Sequence, residues 1–316
     1  YLKHGRVPDE LSAQVGAAIA NTEELTGKGF GDPKNPLLLS VRSGAKFSMP
    51  GMMNTVLNIG LNDDTVGSLI EAAGERFAWD SYRRLIHMFG DTVLMVPDEL
   101  FEHVMDEEKA AKGTTSDLDL DAEDLKRITY RYKDIVKENT GEAFPDDPRT
   151  QVDMGILAVF GSWNTERAIL YRRQERIPGD LGTAVNVQAM VFGNMGEHSY
   201  TGVTFTRDPA TGATGAYGDW LADAQGEDVV AGIRNAHPLP ELEQSYKQGY
   251  DELIATMQRL EDHYKDLCDI EFTIERGKLW MLQTRVGKRT AAAAFIIATQ
   301  MVDEGVIDMD EALNRV

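Results

Sequence analysis

The sequence predicts an α+β fold with mostly antiparallel sheets. Three observations carry this. Strand-like segments in the second half follow one another through short glycine turns. The amphipathic helices gather in blocks instead of alternating with strands. The third is a hairpin near the end, "DIEFTIERGKLWMLQTR", in which both arms alternate apolar and polar residues. At 316 residues the chain can bury a large core and hold two or three subdomains. A hydrophobic content of 42% with 27% charged residues fits a soluble globular protein.

The elements follow in order. Leu11, Val15 and Ile19 recur at spacings of four, which predicts a helix to about Thr26. Leu37 to Val41 reads as a short buried strand. It opens into a Gly/Ser/Pro-rich loop from Ser43 to Gly51, after which a Met/Val/Leu segment resumes. Roughly Asn62 to Asp147 is helical and acidic. "DTVGSLIEAAGERFAWDSYRRLIHMFGDTVL" and "DAEDLKRITYRYKDIVKENTG" both have helical spacing. The second opens on acidic residues and ends at Gly141, as the helix dipole and C-capping favour. "DEEKAAKGTTSDLDLDAED" between them reads as a polar connection, and Arg83 and Arg84 as a solvated helix face. A helix follows from about Gln151 to Trp163. Strands are then expected at "RAILYRR", "TAVNVQAMVFG" and "TGVTFTRDP". "AYGDWLADAQGEDVVAG" connects to a long helix through "LEQSYKQGYDELIATMQRLEDHYKDL". The hairpin comes next, and the chain closes on a helical segment. The expected boundaries are 1–61 for part of a sheet subdomain, 62–147 for an inserted helical subdomain, and 148–316 for the remainder.

The hairpin is the most informative segment. Ile270, Phe272 and Ile274 alternate with Asp269, Glu271 and Thr273. Trp280, Leu282 and Thr284 alternate with Met281, Gln283 and Arg285. A loop of two residues, Arg276-Gly277, would set Glu271 opposite Leu282. A loop of three, ending at Lys278, sets Glu271 opposite Gln283 and Asp269 opposite Arg285, and puts Trp280 and Leu282 with the apolar set. A slip of one residue moves a whole apolar set to the wrong face, so the longer loop is expected, with Gly277 in a left-handed conformation. One face is then core. The other gathers two carboxylates, an amide and a guanidinium within reach of one another. Hard oxygen ligands beside a fixed cation suit a magnesium-bound polyphosphate; a solvated sheet face with an ion pair has the same composition.

Composition excludes several classes. A net charge of -20 opposes general nucleic-acid binding, although local cations and a metal can still make a nucleotide site. No apolar run approaches the roughly 20 residues that span a bilayer. The start lacks a signal-peptide pattern. The single cysteine, Cys268, allows no intrachain disulfide, agrees with a reducing cytoplasm, and reads as a small buried hydrophobe. The six histidines show no metal-ligand spacing, and neither a Walker A loop nor a GxGxxG fingerprint is present.

Other segments add candidates. "SVRSGAKFSMPGMMNT" places Arg42 where a buried strand enters a loop, and arginine is a bidentate phosphate ligand. "TAVNVQAMVFGNMG" could present a main-chain edge to a base at Gln188, Met190 and Val191. "YTGVTFTRDPATG" is a small-residue turn and strand with Thr204 and Arg207. "AQGEDVVAG" sets Glu227 among small residues at a helix entry.

In this order and spacing, these segments resemble the N-terminal nucleotide-binding domain of the pyruvate phosphate dikinase family, across essentially the whole chain. The most specific pieces are "SVRSGAKFSMPGMMNTVLNIGLND", "FAWDSYRRLIHM", "PGDLGTAVNVQAMVFGN", "TGVTFTRDPATG", "AQGEDVVAGIR" and "EFTIERGKLWMLQTRVGKRTA". The resemblance implies an ATP-grasp-like fold, in which two α+β subdomains clamp ATP and a helical subdomain is inserted. It implies ATP and phosphate as substrates and Mg2+ (or Mn2+) as the ion. The implied reaction takes ATP, phosphate and pyruvate to AMP, pyrophosphate and phosphoenolpyruvate, through a histidine on a separate swivelling domain. The family's ATP-site arginine falls on Arg42, its acidic pair on Asp269 and Glu271, its glutamine on Gln283 and its following arginine on Arg285. Glu271, Gln283 and Asp269 are the implied metal ligands. Gln188, Met190, Val191, Thr204 and Glu227 join Arg42 as implied nucleotide contacts. The family's glycine-flanked lysine segment lies upstream of Tyr1, and its phosphohistidine domain and pyruvate barrel lie beyond Val316. The chain is therefore expected to be an inactive internal fragment of a cytoplasmic enzyme, homo-oligomeric at full length, with no nucleic-acid or membrane partner. A pyruvate-water dikinase is the alternative, though relatives of that kind usually carry an acid-containing loop where this chain has "SMPGMMNTVLN". A non-catalytic domain that binds a partner through its acidic helices is a third reading.

Overall fold

The computed structural model describes residues 5–231 and 234–316, without the side chains of residues 227, 230 and 231. It is α+β, as expected: helices accompany two antiparallel sheets. The chain divides into two compact units, Tyr1–Met190 and Val191–Val316.

The first unit opens with α1 (Leu11–Thr26), closed by Gly27 at φ 66°, a left-handed C-cap. Strands β1 (Leu39–Gly44) and β2 (Thr55–Ile59) pair antiparallel. Helices α2 (Val66–Ala73), α3 (Glu75–Thr92), α4 (Asp98–Lys112) and α5 (Ala122–Thr140) come before α6 (Pro148–Ser162), α7 (Glu166–Gln174) and β3 (Ala184–Ala189). The sheet order is β2-β1-β3, so the helices α2 to α5 interrupt a sheet whose third strand returns to pair with β1. Leu39 and Val41 are buried on one face, and α6 lies against it. Gly155 makes that approach possible, because a Cβ there would stand 3.3 Å from Ile59 Cδ1.

Three expectations fail in this unit. "RAILYRR" is the helix α7, not a strand. Ala168 and Arg172, four apart, share its buried side, and the Arg172 guanidinium lies 4.0 Å from the Trp163 ring centroid. The polar connection begins later than expected, because α4 runs through Lys112. Phe101, Val104 and Met105 form its buried stripe, its first turn is acidic, and Gly113 caps it at φ 75°. Arg83 is not solvated: it is 6% exposed and, with Arg84, grips Asp80, itself 7% exposed, one turn earlier on α3.

Burial alone would push the Asp80 carboxyl up, but the two guanidiniums outweigh it and hold it well below the ordinary carboxylate range. A depressed folded-state value means stability that is present above the unfolded value and lost as pH falls below about 4. Asp80→Asn should therefore cost about 3–5 kcal/mol, the usual penalty for orphaning a buried charge. It should also flatten the acid limb of a stability-versus-pH curve from denaturant melts.

The second unit contains β4 (Tyr200–Arg207), β5 (Thr214–Ala222), α8 (Gly226–Ala231), β6 (His237–Pro238), α9 (Leu242–Ser245), α10 (Lys247–Tyr264), β7 (Cys268–Glu275), β8 (Lys278–Val286), α11 (Ala291–Asp303) and α12 (Met309–Asn314). The sheet order is β6-β5-β4-β7-β8. β5 is a strand where the sequence predicts a connection. Gly218, at φ 152°, hides it, since a Cβ there would meet Val203 O at 2.3 Å. One sheet face is core: Ile270, Phe272 and Ile274 pack with Leu253 and Met257 of α10. Cys268 is buried on this face, where burial pushes its thiol up to about 12. No helix among the described residues is long and apolar enough to cross a membrane.

The hairpin β7–β8 keeps the expected far register by another route. Its loop has two residues, since Glu275 pairs with Lys278, and Arg276 and Gly277 both take positive φ, 47° and 84°. A bulge beyond Phe272 then adds one residue to β8, so Glu271 still faces Gln283 and Asp269 still faces Arg285. Near the turn the outcome reverses. Phe272 faces Met281 and Ile274 faces Leu279, which join the core, whereas Trp280 pairs with Thr273 on the other face.

Candidate functional site

The face of the second sheet opposite α10 carries the candidate groups. Alternation along β7 and β8 sets Asp269, Glu271, Gln283 and Arg285 together there. Arg285 Nη2 donates to Glu271 Oε1 at 2.9 Å, and Arg285 Nε lies 3.3 Å from Asp269 Oδ2. The side chains of Asp269, Glu271 and Arg285 are 18%, 22% and 26% exposed, partly shielded yet open to a ligand. One guanidinium serves two carboxylates. Burial raises the Asp269 carboxyl above its ordinary value; Arg285 opposes this and Glu271 adds to it. Asp269 Oδ1 is buried without a hydrogen-bond partner among the described residues.

These features fit a divalent cation. The surplus negative charge and the orphaned oxygen Oδ1 are groups that a hard cation satisfies. No cluster of three or more His, Cys, Asp or Glu able to hold a metal occurs among the described residues. Two carboxylates and an amide match the habit of Mg2+, which takes one or two carboxylates and completes its shell with phosphate oxygens and water.

Neighbouring strands extend this face. Thr201 and Val203 of β4 pair with Thr273 and Glu271. Thr201 Oγ1 lies 3.2 Å from Phe272 O and 3.3 Å from Thr273 Oγ1. Gly226 comes over Thr201, with 3.9 Å between a Cβ built there and Thr201 Oγ1, so the start of α8 lies by this face; the Glu227 side chain lies outside the described residues. Thr204 lies elsewhere: it points to the α10 face, donating to Tyr217 O at 2.9 Å beside Met257. Strand alternation separates it from Glu271, and its side chain is core. Arg207 is likewise engaged inside, where Glu261 and Glu304 hold it.

In the first unit, Arg42 is half-buried on β1 and faces Asn186 of β3; Ser40 faces Gln188. Alternation puts Arg42 and Gln188 opposite the Val41 face. Met190 N donates to Leu38 O at 2.8 Å, continuing β3, and the boundary between the units falls between Met190 and Val191. Asn186 and Trp280 were not expected among these groups. The polar Asn186 alternating with Gln188 in an otherwise apolar strand was a usable signal for the first; nothing in the periodicity marks the second.

Comparison with known proteins places the chain in a family. Residues 2–240 and 238–305 match the family described as pyruvate phosphate dikinase, AMP/ATP-binding domain. The chain is 52% identical over 319 residues to the pyruvate, phosphate dikinase of Clostridium symbiosum, covering 100% of this chain and 36% of that protein. It is 52% identical over 330 residues to that of Rhizobium meliloti, covering 100% of this chain and 37% of that protein. It is 50% identical over 316 residues to pyruvate, phosphate dikinase 2 of Oryza sativa subsp. japonica, covering 100% of this chain and 36% of that protein. The chain thus spans about a third of the length of these curated relatives. By its sequence and over nearly its whole length, the chain belongs to the pyruvate phosphate dikinase AMP/ATP-binding domain family.

Proposed function

We propose that this chain is the ATP-handling part of a pyruvate, phosphate dikinase, and that it phosphorylates a histidine on another domain of the full-length protein. The observation that carries this is the face on which Asp269 and Glu271 meet Gln283 and Arg285, in a chain of this family. Glu271 and Gln283, with Asp269, would hold Mg2+ or Mn2+. When bound, that ion would neutralise polyphosphate charge and polarise the transferring phosphoryl group. The rest falls to the chain's own residues. Arg285 orients Glu271 and offsets phosphate charge. Arg42 supplies a planar, bidentate phosphate donor. Gln188, Met190, Val191 and Glu227 contact the nucleoside, and the ATP-grasp arrangement is part of the same proposal. The reaction at this site is ATP, phosphate and histidine giving AMP, pyrophosphate and phosphohistidine. The histidine then serves pyruvate.

Single-turnover measurement of AMP without pyruvate tests it. In the full-length protein, one AMP per polypeptide should form with Mg2+, and only when phosphate is present. AMP formation that ignores phosphate would assign the chain to the water-dependent alternative. No AMP, with the protein folded, would support the partner-binding reading instead.

A further inference from the structure

The bulge in the β7–β8 hairpin puts an indole where the apolar pattern had no place for one. Trp280 is 37% exposed and sits on the face of Glu271 and Gln283, toward the turn from them. Its ring carries Lys278 Nζ at 3.8 Å from the centroid. The same end of the hairpin holds a second group. Glu275 Oε2 accepts from Phe192 N at 2.7 Å, which ties the segment starting at Val191 to the turn end of this face. Tyr246 Oη donates to Gly277 O at 2.9 Å, and Gly277 N donates to His198 O at 2.9 Å, so the turn itself is fixed. An exposed aromatic ring on the strand beside a fixed turn, near an anchored main-chain segment, lies along that strand from a carboxylate pair suited to a metal-bound polyphosphate. That is a polar end and an aromatic end on one face.

From this we infer that Trp280 receives the base of the nucleotide and sets the preference for a purine triphosphate over a bare polyphosphate. The inference rests on the ATP-site reading above and adds the base end to it. Aromatic rings take bases by stacking, which tolerates the approach of a cation such as Lys278 at the ring.

Calorimetric titrations of the full-length protein with Mg-ATP and with Mg-tripolyphosphate separate the two claims. In Trp280→Ala, ATP affinity should fall on the order of 10-fold, while tripolyphosphate affinity stays unchanged. Trp280→Phe, which keeps a stacking ring, should restore most of the ATP affinity. Indole fluorescence should respond to ATP in the wild-type protein, and this response should be absent in Trp280→Phe. Equal loss of both ligands in Trp280→Ala, or no loss of either, would overturn the base assignment while leaving the polyphosphate site standing. A wild-type protein that binds neither ligand would overturn the ATP-site reading and the base assignment together.

Discussion

Glu271→Ala in the full-length protein should nearly abolish ATP-dependent phosphorylation of the histidine, lowering its rate by about 10²- to 10³-fold. Glu271 has three tasks on its face. It stands opposite Gln283, it accepts from Arg285 at 2.9 Å, and its second neighbour Asp269 shares the same guanidinium. Removing it deletes an oxygen from the proposed metal set. It also frees Arg285 to close on Asp269 alone, which turns the cation away from the polyphosphate. The loss is one of positioning and charge, and it falls on the step in which charge moves.

The fold should tolerate this change. The Glu271 side chain is 22% exposed, its backbone pairs with Val203 and Gln283, and the packed face beneath it is built by Ile270 and Phe272. The melting temperature should therefore stay close to that of the wild-type protein. Exchange between pyruvate and phosphoenolpyruvate, which the family resemblance assigns to a separate pyruvate barrel, should be spared. Equal damage to both half-reactions, with a lowered melting temperature, would mean that Glu271 serves the fold.

The pairing of Glu271 with Gln283 is legible in the sequence, and the route to it is not. One extra residue in the loop and one extra residue in a bulge shift the far part of a hairpin by the same amount. Beyond Glu271 the two solutions coincide, so the apolar match of Ile270 with Thr284 gives the right pairs. Nearer the turn they differ by one residue, and that residue decides whether Trp280 or Leu279 enters the core. Arg83 shows a second limit. A guanidinium among helical residues looks solvated until tertiary packing is known. Here α3 packs against α2, α5 and β2, and Asp80 one turn earlier makes burial of Arg83 tolerable. Thr204 shows a third. Its segment is legible as a strand, but strand alternation gives only relative faces, and which face bears the site depends on α10 covering the other.

Arg42→Lys should lower the rate of histidine phosphorylation by on the order of 10- to 100-fold while leaving the melting temperature nearly unchanged. Arg42 stands in the central strand of its sheet, yet its side chain is on the face away from Val41, which is fully buried. The core beneath therefore does not feel the substitution. Lysine keeps the charge, so the expected loss is that of geometry: five donors in a planar fork become a point charge on a flexible stem. A ground-state contact would raise the ATP requirement and leave the maximal rate intact. A group that meets charge developing during transfer would lower the rate at saturating ATP. The placement of Arg42 within β1, two residues before the strand ends at Gly44 and not at the strand end the sequence suggests, favours the second, because the backbone there is fixed by pairing with both Thr55 and Asn186. Single-turnover phosphorylation and thermal melts on the same preparation decide it. A normal rate with a lowered melting temperature would make Arg42 structural, and a normal rate with a normal melt would remove it from the reacting set.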